Sequence, residues 1–131
     1  MVTAVSDASA LIVGASSHWS LLVYWPDAGA AAHFDSLPGP SRNAAAAAAA
    51  LAKLRRCLKA PPASLASPPT PRQTNGHDCG AFALAIAREI TADAGAGPGR
   101  HQLDAVTPAA VADLRADCRR RAAAMFDAAA A

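Results

Sequence analysis

The sequence predicts an α/β (α+β) fold in which a two-stranded hairpin precedes three helices. Three observations carry that reading. "HWSLLVYW" (residues 18–25) is aromatic, leucine-rich and apolar on both faces, which suits a strand buried within a sheet. A turn-forming "PDAG" and a second extended stretch, "AAAHFDS", come directly after it. Beyond residue 43 the large apolar residues recur three and four apart, the period of a helix.

The hairpin comes first in the chain. Pro26 suits a corner of the turn, and Asp27 and Gly29 are turn formers. The return strand runs over residues 30–36, although alanine is a poor strand former. "LPGPSRN" then breaks the pattern, and Ser41 or Asn43 can cap a helix that runs through the polyalanine tract into "LAKLRRCLK". Leu51, Leu54 and Leu58 give that helix one apolar stripe, and Cys57 beside it reads as structural. Residues 60–76 form a Pro/Ser-rich connector, extended and exposed. The helix beginning near Cys79 turns Phe82, Ile86 and Ile90 inward, and "DAGAGPG" ends it. Thr107 followed by Pro108 starts a last helix, with Val111, Leu114, Cys118 and Met125 as its apolar stripe and the final alanines frayed.

At 131 residues the chain reads as a single domain. Its 53% hydrophobic content is inflated by alanine, and only 5% of residues are aromatic. Large core-forming side chains cluster in residues 11–13, 19–25, 51–58 and 82–90. A core this thin leaves room for a further segment or a partner chain. The net charge of +2 is too mild to imply a nucleic-acid partner, and Arg119–Arg121 reads as a solvated helix face. Three cysteines without a CxxC pair argue against a disulfide framework or a structural zinc, and no metal or cofactor is expected. No signal peptide and no stretch of membrane-spanning length is visible, so no membrane partner is expected and the default compartment is cytoplasm or nucleus.

"TNGHDCGAFALA" (residues 74–85) carries the chemistry. A free cysteine is most often a small core residue. Cys79, however, falls in a helix's first turn, where unpaired N–H groups and the positive end of the dipole favour an anion. A thiolate there is a candidate nucleophile, and the amides beside it could hold an oxyanion. Four histidines could serve it. If the turn is centred between Asp27 and Ala28, Asp35 lies opposite Ser20 and His33 opposite Leu22. His18 and Asp35 are then diagonal neighbours on one face, on the order of 7 Å apart at the backbone. An Asp that orients a His is half of a nucleophilic triad. A one-residue slip would remove the pairing. His33, His77 and His101 read as solvated or structural.

"HWSLLVYW…HFDS…PRQTNGHDCGAFAL" resembles the catalytic core of the ubiquitin-like-protein-specific cysteine proteases, the sentrin/SUMO protease family. "HWSLLVY" is most similar to that family's deneddylase branch. The resemblance runs from about residue 5 to residue 92, with a family-like C-terminal helix at about 107–126, all within one partial domain over 1–131. It implies a papain-like core, helices packed on a small mixed sheet, incomplete at the N-terminus. His18 would be the general base, Asp35 its orienting carboxylate, Cys79 the nucleophile and Gln73 an oxyanion donor. Trp19 would cover a narrow channel for a Gly-Gly tail; the rival reading is a plain core aromatic. Asp78 and Gly80 match the motif but need only shape the turn.

The implied partners are a ubiquitin-like modifier and its conjugates, the neddylation modifier ahead of SUMO. The sequence departs from the family in having only seventeen residues before His18 and a proline-rich stretch where a strand is expected before "Q-x-N". The alternatives are a SUMO-specific protease, a non-catalytic module that binds a ubiquitin-like protein, and an alanine-rich helical protein with accidental matches.

Overall fold

The computed structural model describes residues 2–6, 18–41, 43–92, 97–99 and 103–129. Residues 11–13, expected in the core, lie outside these, as do His101, residues 93–96 of the loop after the second helix, and the last two alanines.

Among the described residues, four strands form one sheet in the order β1-β2-β3-β4: β1 (Val2–Ser6), β2 (Trp19–Trp25), β3 (Ala30–Phe34) and β4 (Ser64–Ala66). The hairpin has the predicted register. Leu21 pairs with Phe34, Leu22 with His33 and Trp25 with Ala30. Gly29 closes the turn, its N–H donating to the Pro26 carbonyl at 3.1 Å, with φ at +58°. That left-handed conformation suits glycine because it has no Cβ.

Two strands go beyond those that local patterning gave: β1, and β4 in the proline-rich stretch where the family resemblance expects a strand. β1 pairs antiparallel with β2. β4 lies inside the proline-rich connector and pairs parallel with β3, making the sheet mixed. Pro61–Pro62 and Pro68–Pro69 bracket it, which suits a three-residue edge strand that must stop at both ends.

Helices cover both faces of the sheet. α1 (Ala44–Leu58) packs Leu51 against Leu22, Tyr24 and Ala31. α2 (Cys79–Ala92) and α3 (Pro108–Ala129) lie on the other face, where Phe82, Ile86, Ile90 and Val111 meet Leu21, Val23 and Phe34. This is why "LLVY" (residues 21–24) is apolar on both faces: alternate side chains enter two different cores. No helix among the described residues is long and apolar enough to cross a membrane.

Three expectations about the helices need correction. Cys57 and Leu58 are exposed, because α1's stripe outruns the sheet after Leu54. Cys118 and Met125 are also exposed, because α3 leaves the core beyond Leu114. Asn43 occupies the N-cap position of α1 but makes no side-chain cap. Its amide donates instead to Ser20 Oγ at 2.9 Å and to the His18 carbonyl at 3.4 Å. Thr107 does cap α3, with Oγ1 accepting from the Ala110 N–H at 3.2 Å.

Candidate active site

His18 and Asp35 stand at the same end of the hairpin, just beyond the last paired residues of β2 and β3. His18 is 2% exposed and Asp35 8%, and His18 Nε2 lies 2.6 Å from Asp35 Oδ1. Asp35 has further donors. The Leu37 N–H reaches Oδ1 at 3.0 Å, and Ser41 Oγ donates to Oδ2 at 2.5 Å. Burial alone would raise the Asp35 pKa. The hydrogen bonds from Ser41, Leu37 and His18 outweigh it and hold the carboxyl below the ordinary carboxylate range.

His33 is not part of that pair. It is buried on the α1 face and bonds Ser20 Oγ at 2.8 Å through Nε2. Burial lowers its pKa, the Asp35 charge opposes that, and His18 adds to the lowering. A neutral imidazole bonded to a hydroxyl is a structural histidine. His77 is exposed and only 3.9 Å from Asp78 Oδ1.

Cys79 is the first residue of α2 and is buried. The Phe82 N–H donates to the Asp78 carbonyl at 2.9 Å, which makes Asp78 the N-cap. The segment leading to it is held bond by bond. The Gln73 N–H donates to the Ser36 carbonyl at 3.0 Å, and Ser36 Oγ donates to Gln73 Oε1 at 2.7 Å. Gln73 Nε2 donates to the Asn75 carbonyl at 2.6 Å. Asn75 Oδ1 accepts from the N–H groups of His77 and Asp78, both at 3.0 Å, while its Nδ2 donates to Asp78 Oδ2 at 2.6 Å. The Gln73 amide therefore sits in the neighbourhood of Asp35 through Ser36, with one of its two N–H groups engaged by Asn75.

Trp19 joins the two halves. It is 42% exposed although His18 and Ser20 on either side are buried, so it is not a core aromatic. A methyl group added at Gly80 would meet its Cδ1 at 4.0 Å. The indole thus lies over the start of α2, at the residue that follows Cys79.

A model of the Ulp1 protease family, C-terminal catalytic domain, matches residues 9–96. The chain belongs to that family. It is similar to a probable sentrin-specific protease 8 from Dictyostelium discoideum, with 32% identity over 85 residues covering 60% of this chain and 34% of the other. It is also similar to NEDD8-specific protease 1 from Arabidopsis thaliana, with 37% identity over 81 residues covering 56% and 32%. The chain spans about a third of the length of these curated relatives.

The Ulp1-family match includes His18, Asp35, Gln73 and Cys79 and stops before α3. Sequence reasoning missed the residues that hold the site: Ser41 on Asp35, Ser36 on Gln73, and Arg115, whose guanidinium donates to Asp78. Ser36 and Asn75 fall within quoted motifs and could have been suspected. Ser41 was read as a helix cap, and Arg115 carries no local signal. Among the described residues, no group of three or more His, Cys, Asp or Glu could hold a metal ion.

Proposed function

We propose that this chain is a thiol protease that cleaves after the C-terminal Gly-Gly of a ubiquitin-like modifier, with the neddylation modifier preferred over SUMO. The observation that carries the reading is the buried His18–Asp35 hydrogen bond, at a strand end whose next residue, Trp19, lies over the helix start that holds Cys79. Family membership supports the chemistry, and the names of the two relatives support the modifier class.

In this reading Asp35 fixes His18 through Nε2, which makes Nδ1 the nitrogen that exchanges a proton with thiol or leaving group. The Cys79 thiolate attacks the carbonyl carbon of the last glycine of the tail. A C–S bond forms and the carbonyl electrons move onto oxygen, where a Gln73 N–H and the α2 amides donate to it. Collapse breaks the C–N bond, and the leaving amine takes a proton from the His18 imidazolium. Water, deprotonated by His18, then hydrolyses the thioester. Trp19 roofs the approach, and a tail without side chains fits beneath it.

The test compares wild type with Cys79→Ser on modifier precursors and on amide-linked conjugates. The variant is expected to lose cleavage while still binding the tail. Cleavage by the Cys79→Ser protein, or binding without cleavage by wild type, would contradict the proposal.

A further inference from the structure

α3 lies outside the stretch that the family match covers, yet one of its side chains reaches the loop in front of Cys79. An aspartate at an N-cap ordinarily turns its carboxylate onto the amides of the first helical turn. Asp78 does not. Its Oδ2 accepts from Asn75 and its Oδ1 from Arg115, so both oxygens are engaged away from the Gly80 and Ala81 amides. The contact also differs from the other ion pairs of α3. Arg120 and Arg121 pair locally with Asp117 and are 70% and 78% exposed. Arg115 spans 37 residues of sequence, is 35% exposed, and meets a carboxylate that is only 10% exposed.

We propose that Arg115 is a positioning residue for Cys79: it holds the Asp78 carboxylate off the start of α2, which leaves those amides for an anion and keeps the loop from Gln73 to Asp78 in place. Without Arg115, the carboxylate would be free to cap the helix, set its own negative charge beside the sulfur, and disfavour the thiolate. The inference rests on the thiol-protease reading for its role in turnover, but its effect on Cys79 is measurable without substrate.

The experiment is alkylation of the full chain by iodoacetamide, read peptide by peptide by mass spectrometry, with exposed Cys57 as internal reference. Arg115→Gln is expected to slow Cys79 about tenfold while Cys57 is unchanged, and Arg115→Lys to stay within about threefold of wild type. In an Asp78→Asn background, Arg115→Gln is expected to add nothing, because no carboxylate is left to hold; this pair decides the matter if Arg115→Gln alone does not fold. An unchanged or faster Cys79 rate in Arg115→Gln, or an equal effect in the Asp78→Asn background, overturns the proposal. On a Gly-Gly amide substrate the same variant should lower kcat by about tenfold with KM within about twofold. Absence of turnover by wild type would sink the protease reading and leave the alkylation result to decide Arg115.

Discussion

Two of the candidate site residues, Asp35 and Gln73, are held by hydrogen bonds with neighbouring groups. Asp35 receives hydrogen bonds from His18, the Leu37 N–H and Ser41, which keeps it ionised and fixed in direction. Gln73 is held at both ends of its amide, by Ser36 at Oε1 and by the Asn75 carbonyl at Nε2. In the proposed oxyanion role, such anchoring would keep the donor aimed where charge develops, with no reorganisation at the moment of reaction. Gln73→Ala is therefore expected to cost about 3 kcal/mol of transition-state stabilisation, seen as a fall in kcat of about 10²- to 10³-fold. Steady-state kinetics would check it, and a wild-type kcat would remove Gln73 from its assigned role. The His18–Asp35 pairing was legible in the sequence because strand register is arithmetic once the turn is placed. The anchors were not. Ser41 to Asp35 and Arg115 to Asp78 are meetings of side chains that no local pattern encodes.

The elements divide into those held by the core and those that outrun it. α2 was legible because its four-residue apolar spacing faces a sheet that buries it, and Phe82, Ile86 and Ile90 are each 5% exposed or less. α3 shows the limit of the same method. Its apolar spacing predicted a buried stripe through Cys118 to Met125, and the helix does form. Spacing reports helicity, though, not what covers the face, and Met125 and Phe126 are 74% and 77% exposed. β4, expected from the family resemblance alone, escapes local patterning for the opposite reason: prolines on both sides mask three residues that pair with β3 only because α1 returns the chain to the sheet edge. Ending the chain after Ala122 is expected to change stability by no more than about 0.5 kcal/mol, since residues 123–128 are all exposed. Urea unfolding of the truncated protein tests this, and a loss of several kcal/mol would show that the end of α3 has a partner in the fold.

Across the molecule as a whole, the buried groups with shifted pKa values among the described residues share one sign. The folded pKa values of His33, Asp35 and Asp78 are all lowered. For Asp78 the Asn75 hydrogen bond leads, burial opposes, and the Arg115 bond and charge add to the lowering. A group whose folded pKa is depressed adds stability that is present above its unfolded value and is lost as pH falls through the folded one. Stability should thus hold above about pH 6.5, decline below it as His33 must charge, and fall again below about pH 4 as the two carboxylates protonate. Denaturant unfolding across pH would check this, with His33→Gln expected to abolish the first decline; stability that rises on acidification from pH 7 to 5 would contradict it.

The central claim is that the α/β scaffold brings a strand end and a helix start together to make one nucleophilic site. The most direct measurement incubates the folded chain with neddylation-modifier, SUMO and ubiquitin probes that carry an electrophile in place of the last carbonyl, and maps any adduct by mass spectrometry. The prediction is a covalent bond at Cys79, fastest with the neddylation-modifier probe, while exposed Cys57 and Cys118 stay unmodified. No adduct at Cys79 from a demonstrably folded chain would contradict the claim and leave a module that binds a ubiquitin-like protein without cleaving it.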